Sequence, residues 1–208
     1  CAASHAIVCN TAQDMARDPV YASTVNNLVA RTSKVEYTGE TQSWHLLHYL
    51  VEEIGLDKIR DAVKNPLKMN IAAYYGPDMQ REGACAGDDP FMPTYMEQLI
   101  EALGGTPVDY DSKCMSVGST SMLTLEDSSL AMTAAVLSDA IESGAELVVS
   151  ACTMSHINLD SYQSKAGRVS GKNTTVPVCH LSELVAFALG FYPDRLAQLR
   201  TRVRLIGS

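Results

Sequence analysis

The run from Gly144 to Asp160 constrains this chain more than any other. A short apolar, β-branched stretch, Leu147 to Ala151, delivers Cys152 to the start of a polar helical pattern. A strand that turns directly into a helix leaves its junction residue beside free backbone N–H groups and the positive end of the helix dipole, which together stabilise a thiolate. In parallel sheets the carboxyl ends of strands are also where ligands gather. Cys152 is therefore a candidate nucleophile, with Ser155 as hydrogen-bond donor and His156 as base. The alternative is that Cys152 packs as a small, unreactive hydrophobe.

The pattern occurs twice. Cys1, Ser4 and His5 open the chain as C-x-x-S-H, Cys152, Ser155 and His156 repeat it, and both copies lead into helical periodicity. Such a repeat predicts a pseudo-twofold protein, with residues 1–66 as the remnant of a first half and its linker and residues 67–208 as the second half. A start without methionine, inside a motif, predicts a fragment or further chain before Cys1.

The chain has 208 residues, 46% of them apolar, enough to bury a core without covalent staples. No apolar run approaches the roughly 18–20 residues of a membrane span. A net charge of -8 opposes nucleic acid and anionic membranes as partners. Cysteines 1, 9, 85, 114, 152 and 179 are scattered, with no close C-x-x-C pair and no signal-peptide pattern, so reduced thiols in a cytoplasmic protein are expected.

Periodicity predicts two short helical pieces around Pro19 and a helical stripe from Trp44 to Ile54 closed by Gly55. A short helix over 56–63 follows. Trp44, His45 and His48 read as the edge of a core. Residues 67–76 form a strand, and helices follow over 94–103, 125–143 and 181–189, with strands at 107–110 and 176–180 between them. A basic tail runs from Arg195 to Arg204. Strand and helix in alternation mean a layered α/β fold with a largely parallel sheet and flanking helices. The loops after its strands border Cys85, Cys114 and Cys152, the sort of convergence a metal or redox centre requires.

Several segments together resemble the B-type subunits of heterodisulfide reductases, a family of proteins built from two cysteine-rich CCG domains. They are Lys68 to Gly76 with its Tyr-Tyr-Gly, Asp88 to Pro90 with Pro93, Leu99 to Gly105, Val108 to Tyr110 with Lys113 and Gly118, and Ala145 to Asp160. The resemblance covers essentially the whole chain. It implies an iron–sulfur cluster in each complete half, bound by one cysteine after Tyr-Tyr-Gly, an adjacent pair before a glycine, and a C-x-x-C. Carried over, these positions are Pro77, Ser116 and Val117, and Cys152 and Ser155, so one thiol remains of five. In the first half the C-x-x-C falls on Cys1 and Ser4. Thiolates hold such clusters, so an intact cluster is not expected in the second half. A regrouped site would draw on Cys85, Cys114, Cys152 and His156, and zinc would lack a local ligand pair to start from.

The resemblance implies an oxidoreductase subunit in a thiol/disulfide or sulfur-oxidising electron-transfer complex, with a flavin subunit and a ferredoxin-like subunit as partners. Cys1, Cys114 and Cys152 are the residues left to contribute to a cofactor. A non-catalytic scaffold, or a metal-free thiol enzyme using Cys152, are the other readings.

Overall fold

Four apolar runs become strands: β1 (Asn70–Tyr74), β2 (Thr106–Val108), β3 (Leu147–Ser150) and β4 (Val178–His180). They form one sheet in the order β2-β1-β3-β4 with every neighbouring pair parallel. β3 is buried at all of its positions and β1 at all but Asn70, as parallel strands covered on both faces must be. The computed structural model describes residues 1–40, 42–81, 84 and 86–191. Cys85 and the basic tail from Arg195 to Arg204 lie outside the described residues.

The helices are α1 (Ala2–Arg17), α2 (Pro19–Val29), α3 (Leu46–His48), α4 (Leu56–Ala62), α5 (Tyr95–Ala102), α6 (Glu126–Glu142), α7 (Thr153–Ser161), α8 (Gln163–Ser170) and α9 (Leu181–Ala188). The break at Pro19 has a plain cause. Asp18 is extended, its carboxylate accepts from Val20 N and Tyr21 N, and Pro19 takes the first helical position, where its missing N–H costs nothing. The stripe expected from Trp44 onward begins only at Leu46 and widens at Tyr49–Ile54 into a π-helical turn, closed where Gly55 N bonds Leu50 O at 3.0 Å.

Side chains alternate across β1 and β3, and so feed two cores. Ile71, Ala73, Tyr75, Leu147 and Val149 pack against Leu99, Ile100, Leu181, Leu184 and Phe187, a core that also takes in Ala2, Leu47 and Ile59. Ala72, Tyr74 and Val148 face the other way, onto Val136, Leu137 and Ala140 of α6 and Leu159 of α7. The result is a helix–sheet–helix sandwich, the α/β class the alternation of elements predicts. β2 lies to one side of β1 while β3 and β4 lie to the other, so the strand order reverses between β1 and β3. The crevice outside those two carboxyl ends is the natural ligand position of such a sheet.

Candidate functional site

Tyr74 and Ser150 end β1 and β3 and are register partners, and beyond them Ala151 N reaches Tyr74 O at 3.4 Å. Cys152 follows as the extended residue capping α7, which is the strand-to-helix junction expected from the sequence. Its thiol is 1% exposed and belongs to the core that contains Leu181 and Cys179. Ser155, one turn on, is also buried.

Tyr74 fills the crevice. Its hydroxyl donates to Met115 O at 2.8 Å and is hydrogen-bonded by Ser155. Burial raises its pKa, with the nearby Cys152 thiol acting in the same direction. Gly76 closes over the phenol so tightly that a Cβ there would lie 3.1 Å from the Tyr74 hydroxyl.

The loop after β2 is fastened by a buried polar network. Val117 O accepts from Asn158 Nδ2 at 2.8 Å and Thr133 Oγ1 at 3.0 Å, and Asn158 also donates to Ser129 Oγ at 3.1 Å. Gly118 makes this approach possible: its φ is +71° and a Cβ would come within 2.8 Å of Ser129 Cα. Gly118 N is satisfied by Ser116 Oγ at 3.1 Å.

This donor set does not fit a thiolate-held cluster. Pro77 and Val117 have no side-chain donor atom, Ser116 and Ser155 are engaged in hydrogen bonds, and Cys152 is the one thiol among the five positions. Among the described residues no three His, Cys, Asp or Glu side chains converge closely enough to hold a metal ion.

The remaining predicted residues make contacts of their own. Cys114 ends a 3-10 turn, Asp111–Cys114, and packs on the Tyr75 side of the sheet. Burial pushes its thiol pKa up, while the Lys113 ammonium opposes this. Beside it Lys113 Nζ pairs with Glu97 Oε1 at 2.7 Å, and Tyr75 donates to Glu97. His156 Nδ1 is bonded to Ser150 Oγ at 2.9 Å and its ring stands edge-on to His180, 5.9 Å between centroids. The His156 backbone N donates to Cys152 O at 2.9 Å, but among the described residues its ring is bonded to Ser150 and not to the Cys152 thiol. Cys1 is exposed at the start of α1, and Ser4 is exposed as well.

Sequence reasoning missed Tyr74, Asn158 and the capping histidines. His45 and His180 each occupy the N-cap of a helix and accept from the backbone N–H two residues on, Leu47 and Ser182, both at 3.3 Å. Each is followed by leucine, and each precedes by ten residues a glycine with positive φ, Gly55 and Gly190. That shared H-L spacing, ten residues before a glycine, was the available signal, although His45 lies 44 residues after Cys1 and His180 only 28 after Cys152. The histidines expected at a core edge are buried in a cluster, with His5, His45 and His48 ring centroids 5.7–6.2 Å apart.

No protein-family model matches the chain. It is 28% identical over 88% of its length to the B-type subunit of ferredoxin:CoB-CoM heterodisulfide reductase from Methanosarcina mazei. To a protein of Archaeoglobus profundus named as like the heterodisulfide reductase B-type subunit it is 26% identical, again over 88%. A third relative, at 30% over 80%, is the 8-methylmenaquinol:fumarate reductase membrane anchor subunit of Wolinella succinogenes. The chain spans about three fifths of the length of these relatives: 62%, 63% and 58% respectively. A crystal structure of a hypothetical protein from Helicobacter pylori superposes with a TM-score of 0.67 at 12% identity, covering 88% of this chain and 32% of that one, and so shares the fold. With the strand-to-helix cysteine, the repeated motif and the parallel sheet in place, these likenesses agree: the chain is similar to the B-type subunits of heterodisulfide reductases over most of its length.

Proposed function

We propose that this chain is a component of a multisubunit thiol/disulfide or sulfur-oxidising electron-transfer complex, in the place a heterodisulfide reductase gives its B-type subunit, and that its second half holds no intact iron–sulfur cluster. Membership in a complex is supported by relatives named as subunits of reductases. Residues 1–66 act as the end of a first half and residues 67–208 as the second, with a flavin subunit and a ferredoxin-like subunit as the partners. The free state of Cys1, Cys9, Cys114, Cys152 and Cys179 supports a reducing, cytoplasmic setting. Among the described residues no helix is long and apolar enough to cross a membrane.

One observation carries the reading about the cluster. The five positions that would ligate it hold Pro77, Ser116, Val117, Cys152 and Ser155, and the Tyr74 phenol fills the crevice among them. Burial of Cys152 favours a scaffolding second half over a metal-free enzyme with Cys152 as nucleophile and Ser155 and His156 as helpers, because an attacking thiolate needs access. The deciding measurement is iron and acid-labile sulfide, with an absorbance spectrum, on protein purified without oxygen. A colourless protein with neither is expected. Iron and sulfide at cluster stoichiometry, retained when Cys1 is replaced by serine, would sink the proposal.

A further inference from the structure

We propose that His45 is a positioning residue: acting from the first repeat, it fixes the backbone at the thiol of the second. Its Nδ1 accepts from Leu47 N, so the ring proton sits on Nε2, which donates to Ala151 O at 3.0 Å across 106 residues of chain. Ala151 immediately precedes Cys152. On the other side of that peptide the ladder bond from Ala151 N to Tyr74 O is long, at 3.4 Å, so the imidazole is the firmer anchor of the turn. His45 is 3% exposed, which shuts bulk solvent out as a replacement donor. Burial, with the neighbouring His48 adding to it, lowers its pKa to about 3, which keeps the ring neutral and the tautomer fixed. The anchor is itself held in place, since the ring of His5, bonded to Ser43 Oγ at 2.9 Å, packs against it.

The second repeat supplies an internal control. His180 caps α9 as His45 caps α3, with Nδ1 facing Ser182 N, yet its buried Nε2 has no partner among the described residues. Capping therefore accounts for one nitrogen in each histidine, and only His45 uses the other to reach the thiol turn.

The inference stands on the geometry around Ala151 and Cys152 and not on the proposed function, and its test is independent of iron content. His45→Asn keeps a side-chain acceptor for the helix start but cannot reach Ala151, whereas His45→Gln sets an amide donor near the Nε2 position. Native-state alkylation of Cys152 is compared by mass spectrometry with that of Cys179, which is equally buried on the neighbouring strand. In His45→Asn, Cys152 should react about tenfold faster, the equivalent of one lost buried hydrogen bond, with Cys179 unchanged. His45→Gln and His180→Asn should leave the Cys152 rate near that of the parent chain. The proposal fails if His45→Asn leaves Cys152 unchanged, if it speeds both thiols equally, or if His45→Gln is as reactive as His45→Asn.

Discussion

The two copies of C-x-x-S-H share a sequence and a helix start but little else. In the second, β3 feeds the motif from the centre of the sheet, so Cys152, Ser155 and Asn158 are all buried. In the first, Cys1, Ser4 and Ile7, the residues at the same three positions, are all exposed. The histidines reverse this pattern. His5 is buried among imidazoles, while His156 is half-exposed beside Ser150. A motif read from sequence thus specifies the local turn, and the layer it abuts decides which of its side chains can act.

The largest test of this contrast is at the seventh position of the motif. Asn158 is 2% exposed and donates to Val117 O, Ser129 and Thr133, whereas Ile7 is 62% exposed. Asn158→Ala should cost about 3 kcal/mol in urea unfolding, because it strips a network whose remaining groups are shut off from solvent. Ile7→Ala should stay within about 0.5 kcal/mol. Equal costs would mean that the two copies are packed alike in solution.

Acid should divide the copies next. Burial is the first cause lowering the pKa of His5, of His45 to about 3 and of His48 to about 4, while Glu52 partly favours the charged form of His48. Cys9 and Tyr95 also face the cluster. These imidazoles are neutral in the folded chain, so the unfolded chain takes up protons first as pH falls below the ordinary value of 6.5. Their stabilising effect is complete above that value and is lost progressively as pH drops toward 4 and then 3. Between neutral pH and pH 4 His45 and His48 should each account for a loss of up to about 3 kcal/mol, less for His48, whose pKa is lowered less. Hydrogen exchange should show α1 and α3 opening before β1 and β3. His48→Gln should flatten the pH slope by up to one proton, and an unchanged slope would remove the cluster from the explanation.

Much of the second repeat could be read in advance, and the reason is local. The helix expected over 125–143 is found at Glu126–Glu142, stopped by Gly144 at φ +92°, and the one over 181–189 at Leu181–Ala188. These follow from periodicity and glycine, which act over a few residues. The sheet order and the hydrogen bond from His45 to Ala151 depend on contacts between distant segments, which no spacing encodes. The site divides in the same way. The junction position of Cys152 was readable, since strand and helix patterns meet there. The bond from His156 to Ser150 was not, because a histidine at the fifth motif position can turn toward the strand or toward the thiol with equal sequence support.

The smallest expected effect compares the two serines. Ser155 is buried and hydrogen-bonds the Tyr74 phenol, whereas Ser4 is exposed at the matching place. Ser155→Ala removes one partner of a buried hydroxyl but leaves Tyr74 its bond to Met115 O, so the cost should be about 1 kcal/mol rather than the full penalty of an orphaned phenol. Ser4→Ala should be within about 0.5 kcal/mol of the parent, as exposed positions usually are. Denaturant midpoints at constant slope resolve a difference of that size. A cost for Ser4→Ala matching that of Ser155→Ala would show that Ser4 is covered in solution, and the asymmetry between the copies would not hold there.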